Sequence, residues 1–284
     1  MKILLSIFLS ACGLVAAAQD TDSRPILYEI SKPGSSETSY LFGTMHVSDS
    51  AVTRVLEEVF PYVSKCNVFS GELDLTDVEM DMTLTGTMFL QDTTLQGLYS
   101  EEEYQQVQTF VIDKLGPAGS MAMMMKPMWI SMSIVQQEMV VDPAEVIDMR
   151  LQLKAEEQQL AIEPLETMAE QVKAINDIPL ADQAQALLEF ALDYDKQMSM
   201  SEDLTEKYIQ GDLEGMFAIY NSERFSDQIE LSLINHRNQV MYDRLSVKLK
   251  EGKKVFCAVG ALHLPGEQGL IQLLSENGFS VTLK

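Results

Sequence analysis

Apolar residues along this 284-residue chain follow two periods, and the order in which those periods alternate lays out an architecture. "PILYEI" (25–30) and "SYLFG" (39–43) are short apolar runs on either side of "SKPGSSET", whose Pro-Gly is a turn signal, so they read as a β-hairpin. After Asp49 the spacing changes, and Val52, Val55, Leu56 and Val59 fall on one helical face. "CNVFSGELD" then reads as a buried strand ending near Glu72. From about residue 75 to 250 the pattern is mostly helical. Ser100 with Glu103 forms a capping box, Gly116 can close that helix, and Asp142-Pro143 marks another helix start. "QQLAIE" (158–163) is a brief strand, while "PLETMAEQVKAI", "ADQAQALLEFALDY" and the run from Asp227 to Lys250 carry amphipathic spacing. "KVFCAVG" (254–260) returns to a continuous apolar strand; a helix closed by Gly278 and a last strand, "FSVTL", follow it. Strands at both ends with helices between predict an α/β fold, a central sheet built from N- and C-terminal strands with residues 75–250 as a large helical insertion.

Residues 1–18 have the pattern of an export signal, with Lys2 as the positive start, Ile3 to Val15 as the apolar core and Ala16-Ala17-Ala18 for cleavage. That leaves 19–284 as a single domain. The apolar run is shorter than the roughly 20 residues a membrane anchor needs, and no other stretch is long enough, so we expect no transmembrane segment and a periplasmic or secreted protein. Leu9-Ser10-Ala11-Cys12 resembles a lipoprotein box, which makes an outer-membrane lipoprotein anchored at Cys12 the alternative. The formal charge of −23 argues against nucleic acid and anionic membrane surfaces as partners. Hydrophobic content of 46% excludes wholesale disorder. Cys66 and Cys257 offer neither a disulfide framework nor a structural zinc site. Cys66 lies six residues before Glu72 and Cys257 six before His263, which predicts two packed thiols at similar depth on neighbouring strands.

One local pattern occurs twice. "FGTMH" (42–46) and "VGALH" (259–263) both run strand, Gly, two residues, His, and they hold two of the chain's three histidines. Gly43 and Gly260 permit a sharp exit from the sheet and close approach of a ligand, and His46 and His263 are then carried at strand carboxyl ends, where open α/β sheets bind ligands. Glu72 has the same address, with Asp74 two residues on. Two imidazoles and a carboxylate converging on one edge suit a divalent metal such as zinc, manganese or cobalt, which would polarise a carbonyl for hydrolysis. The plainer reading is that the histidines only cap strand ends, with Glu72 solvated nearby. His236 lacks the strand-Gly context and reads as a solvated helix residue. "MAMMMKPMWISM" (121–132) fits a core-packed helix, an adaptable substrate groove formed by Met123, Met124 and Met128, or a copper(I) site; Trp129 is expected to anchor it against the sheet.

"YLFGTMHVSD", "VFSGELDL", "IEPLETMAEQ", "HRNQVM" and "VFCAVGALHLPGEQGLIQLL" together resemble the TraB/GumN family, which includes the Tiki proteins, in motif order across nearly all of residues 19–284. The resemblance implies a fold related to erythromycin esterases and haem-binding ChaN-like proteins. For the Tiki branch it also implies metal-dependent peptidase activity on a peptide or protein, with manganese or cobalt favoured. It makes His46, Glu72 and His263 the metal-site residues and places Glu166, Arg237 and Asn238 at further family-typical positions. Leu262 stands where many relatives have glycine. Arg237 can clamp a substrate carboxylate or stabilise an oxyanion, or be an ordinary surface ion pair. Glu166 can serve as a general base or as a carboxylate that orients a metal ligand, or simply as a first-turn helix glutamate. Gly43, Asp74, Arg237, Asn238 and Gly260 are the expected substrate contacts, with Glu72, Glu166 and Arg237 the expected catalytic groups. The alternative to a hydrolase is a non-catalytic protein using the same cleft to hold haem or a signalling peptide.

Overall fold

Leu27–Ser31 (β1) and Thr38–Thr44 (β2) form the expected hairpin, with Leu27 opposite Phe42 and Ser31 opposite Thr38. The computed structural model describes residues 24–34, 37–45, 50–77, 82–138, 146–222 and 226–284. The export signal, Cys12, His46 and the Asp142-Pro143 helix start lie outside the described residues. Val68–Gly71 (β3), Ala161–Ile162 (β4), Val255–Gly260 (β5) and Ser280–Leu283 (β6) complete a six-stranded sheet in the order β4-β3-β5-β2-β1-β6. β4, β3, β5 and β2 run parallel, while β1 and β6 are antiparallel additions at one side. Parallel strands need helical crossovers and become covered on both faces, which explains why β2 and β5 are nearly continuous apolar runs rather than alternating ones. The parallel direction also brings the carboxyl ends of β4, β3, β5 and β2 to one edge.

The capping box read at Ser100 is built, and the structure adds a second at Thr167. Ser100 and Glu103 exchange both capping bonds at the start of Glu101–Leu115, and Gly116 ends that helix at φ 53°. Thr167 and Glu170 do the same for Met168–Asn176, so Glu166 precedes the cap and is not in the helix's first turn. The apolar interior divides into three clusters. One surrounds the sheet and includes Leu41, Phe42, Phe69, Phe256 and Val259. A second, between helices, gathers Met128, Trp129, Met132, Val172, Ile175 and Leu233. A third is built on Val107, Val111, Ile130 and Leu187.

Trp129 therefore does not anchor its helix to the sheet. It is fully buried in the second cluster, where its indole N–H donates to Asn176 Oδ1 at 3.1 Å. The methionine-rich segment is likewise divided: Met128 packs beside Trp129, Met123 leans on the third cluster and Met124 is 63% exposed. Cys66 and Cys257 are both free, and their expected equal depth is wrong. β3 and β5 are neighbours, but Cys257 sits opposite Ser70, four residues beyond Cys66, or about 13 Å along the strand. The equal sequence offset misleads because Glu72 directly follows its strand, whereas His263 is the last residue of the 3-10 turn Ala261–His263 that follows β5. Among the described residues no helix is long and apolar enough to cross a membrane.

Candidate active site

Glu72 and Glu166 are delivered by two adjacent parallel backbones. Beyond the short β3–β4 ladder the chains keep pairing: the N–H groups of Glu163, Leu165 and Glu166 donate to the carbonyls of Phe69, Gly71 and Glu72 at 2.9, 2.9 and 2.7 Å. Ser70 Oγ adds a bond to the Glu163 carbonyl at 2.8 Å. The two carboxylates leave this pair of backbones side by side and buried, at 7% and 3% exposure.

Arg237 comes from the opposite side. The helical run Asp227–Lys250 is interrupted by a π turn over Leu231–Asn235 before His236–Lys250 resumes as α-helix. A π turn adds a residue to the coil and rotates everything after it, a device frequent at functional sites. Arg237 and Asn238 then face inward while His236 is exposed, as its context suggested. Arg237 Nη2 donates to Glu72 Oε2 and to Glu166 Oε2, each at 2.6 Å, and its Nε donates to Glu166 Oε1 at 3.0 Å. This is a buried bidentate clamp with a second carboxylate attached, far from the ordinary surface pair. Burial alone would disfavour the charged guanidinium, but Glu72 and Glu166 outweigh that and raise its pKa. Gln171 closes the cluster from the Met168–Asn176 helix, its Nε2 donating to Glu72 Oε2 at 3.1 Å and Glu166 Oε2 at 3.0 Å.

The turn after β5 supplies the imidazole. Gly260 N–H donates to Glu72 Oε1 at 2.8 Å, and a side chain at 260 would place its Cβ 3.3 Å from that oxygen, so the glycine permits the approach. His263 follows, 6% exposed, with Nε2 3.9 Å from Glu72 Oε1. Asn238 Nδ2 donates to the Gln268 carbonyl at 2.7 Å, which turns Asn238 Oδ1 toward His263 Nδ1 at 2.6 Å. An amide oxygen only accepts, so the proton is on Nδ1 and the lone pair on Nε2 faces Glu72. Burial, joined by the charge of Arg237, lowers the His263 pKa from 6.5 to about 4 against the opposing pull of Glu72. The ring is neutral at physiological pH. A neutral imidazole with its second nitrogen held by an amide is the arrangement that ligand histidines adopt. Among the described residues no group of three His, Cys, Asp or Glu side chains is arranged to hold a metal ion.

A model of the TraB/PrgY/gumN family matches residues 26–283. The chain belongs to that family. It is also 25% identical, over 330 aligned positions, to a protein named Metalloprotease TIKI2 from Xenopus tropicalis. That alignment covers 95% of this chain but 61% of the relative, so the chain spans under two thirds of the relative's length. No solved structure matches the chain.

In this TraB/PrgY/gumN chain, then, Glu72, Glu166, Arg237 and Gly260 form one hydrogen-bonded cluster, and the bonded pair Asn238–His263 meets it at the 3.9 Å approach of His263 Nε2 to Glu72 Oε1. Two of the residues expected at substrate sit elsewhere in it. Asn238 is fully buried and acts on His263; Gly43 is packed under the turn after β5, where an added Cβ would lie 3.1 Å from Ala261 and Ile26. The Gly43 carbonyl accepts the Tyr208 hydroxyl at 3.0 Å, and next to it Thr44 Oγ1 donates to Asp148 Oδ1 at 2.8 Å. Asp74 lies past the end of β3, so strand alternation no longer sets its direction. Its Oδ1 instead accepts from Gln152 Nε2 at 2.5 Å and from Thr76. Burial opposes its charge, yet these donors hold its pKa low. Asp74 and Glu166 both border a cavity of about 520 Å³, which Met123, Met124 and Met128 do not line. Gln171, missed in the sequence, is 2% exposed, and its buried Oε1 has no hydrogen-bond partner among the described residues. The signal for it was its place on the inward face of an amphipathic helix, where an uncharged amide breaks the apolar stripe.

Proposed function

We propose that this protein is an exported metal-dependent hydrolase of the TraB/PrgY/gumN family, acting on a peptide or protein in the periplasm or outside the cell. The observation that carries the proposal is the buried His263–Glu72 pair. The Nε2 lone pair lies 3.9 Å from Glu72 Oε1, and both groups are fixed from behind, by Asn238 and by Arg237 with Gly260. Such a donor pair fits a divalent metal, manganese, cobalt or zinc, with His46 as the third ligand. Bound there, the metal would supply Lewis-acid polarisation of the scissile carbonyl. The remaining work falls to the chain itself. Arg237 neutralises Glu72 and Glu166 and keeps Glu72 aimed at the site. Glu166, with both oxygens on the guanidinium and Oε2 also accepting from Gln171, acts as the holder of Arg237. Glu72 Oε1, the carboxylate oxygen nearest the imidazole, would hold the metal together with His263 Nε2. The relative named a metalloprotease supports the reaction class. The relation to erythromycin esterase and ChaN-like folds belongs to the same proposal, supported by a carboxyl-edge site on a sheet whose strands come from both chain ends and, in β4, from the middle of the chain.

Haem in the same cleft is the weaker reading, because an imidazole nitrogen 3.9 Å from a carboxylate leaves no space for a porphyrin face. The test is metal analysis of the purified protein, followed by cleavage of a peptide library with and without manganese. Metal uptake and cleavage that both disappear in His263→Ala and Glu72→Gln, with folding retained, are the expected result. A protein that takes up no divalent metal and cleaves no peptide refutes the proposal.

A further inference from the structure

The cavity of about 520 Å³ beside Glu166 falls in the size range of about 300–1,000 Å³ that ligand sites occupy. Leu73, Leu84 and Met168 give it apolar walls, and Asp74 and Asp77 bring two carboxylates from the loop after β3. Glu166 forms the part of the wall shared with the Arg237 cluster, so whatever enters the cavity is adjacent to the candidate active site. Among the described residues, no lysine, arginine or histidine lines it. The two acids differ in freedom. Asp74 Oδ1 is committed to Gln152, Thr76 and the Asp77 N–H, whereas Asp77 is exposed at the rim and makes its bond through its backbone.

We propose that this cavity is a substrate subsite that takes one basic side chain, lysine or arginine, of the peptide; the inference rests on the hydrolase reading above. A long basic side chain lays its methylene stem along an apolar wall and keeps its charged head at a polar rim, which is the layout these residues offer. An acidic side chain in the same place meets two carboxylates and no compensating cation. The overall charge of −23 attracts any basic peptide, but that field acts on encounter and does not distinguish positions along the peptide.

The test uses residues 19–284 and a matched peptide series with lysine, arginine, methionine or glutamate at one position. The expected result is a kcat/KM preference of about tenfold for lysine or arginine over glutamate, the order expected when rim carboxylates attract one head group and repel the other. Asp77→Lys inverts the preference, while Glu202→Lys, an exposed glutamate outside the cavity wall, leaves it unchanged. Moving the lysine along the peptide abolishes the gain. Equal rates for lysine and glutamate, or the same change in both variants, overturn the subsite while leaving the hydrolase intact. If no peptide is cleaved, the hydrolase reading falls, and fluorescence anisotropy of the lysine and glutamate peptides decides the subsite separately. Tighter lysine-peptide binding that Asp77→Lys inverts keeps it, and equal affinities remove it.

Discussion

Replacing Arg237 with methionine keeps most of the side-chain volume and removes one charge from the centre of the cluster. Arg237 is 13% exposed, Glu72 8% and Glu166 2% at the side chain, and both ion pairs are at 2.6 Å. Two unit charges about 4 Å apart interact by about 4 kcal/mol at an effective dielectric near 20, a gross figure that desolvation of the pair offsets. Breaking a buried pair from one side leaves the partner uncompensated, which costs about 3–5 kcal/mol. Here two carboxylates lose their counter-charge at once and are left repelling each other, so we expect the upper part of that range. Urea denaturation, followed by far-UV circular dichroism and by the fluorescence of Trp129, the only tryptophan, reads the loss directly. Adding Glu166→Gln to Arg237→Met should recover about 1–3 kcal/mol relative to additivity, because removing one carboxylate relieves the repulsion. A loss below about 1 kcal/mol with no coupling would place Arg237 among ordinary surface pairs and refute the buried-hub argument.

Asn238→Ala removes the acceptor that fixes the His263 tautomer and is expected to weaken divalent-metal affinity about 10- to 100-fold, as outer-shell losses do; isothermal titration with manganese measures it, and unchanged affinity contradicts the role. Hydrogen bonds from Arg244 hold the Glu170 pKa at about 2, below the ordinary 4.5. A depressed carboxylate gives stability that is present above pH 4.5 and lost as pH falls toward 2. Both side chains are about two-fifths exposed, so Glu170→Gln should cost about 1 kcal/mol at pH 7 and progressively less below pH 4.5; a pH-independent difference would exclude the ion pair as its source. Burial pushes the Cys66 thiol up to about 12 and the Cys257 thiol higher still. Residues 19–284 should therefore react slowly with a thiol reagent when native and expose both thiols in denaturant; finding none in denaturant would show a disulfide.

Legibility in the sequence followed the range of the forces involved. The hairpin, the capping box at Ser100 and the apolar runs of β2 and β5 depend on neighbours in sequence, and period and turn chemistry located them. The repeated Gly-x-x-His pattern pointed to the carboxyl edge because a strand, its glycine and the residue after it are one local unit. Three features were not legible. The register of β3 against β5 is set by which side chains share the core, so an equal count of residues before Glu72 and His263 carried no depth information. The inward turn of Arg237 depends on the π turn at Leu231–Asn235, which an unbroken helical pattern conceals. Trp129 reads as an anchor anywhere it is buried, and only the arrangement of helices decides which core receives it.

The charge count of the cluster gives the site its direction. Glu72, Glu166 and Arg237 sum to one negative charge, and His263, neutral at physiological pH, does not cancel it. Stability alone would favour an apolar replacement for so costly a group of buried ions. Contacts fix both oxygens of Glu72: Arg237 and Gln171 donate to Oε2, and the Gly260 amide donates to Oε1, the oxygen that faces His263. A cluster whose role was only to close the sheet edge would have no need to hold one carboxylate oxygen toward an imidazole lone pair at 3.9 Å. On the proposed hydrolase reading, the residual negative charge and the aimed lone pair would favour a cation at that position, and chemistry at the sheet's carboxyl edge would then account for buried ions that the stability of the fold alone does not require.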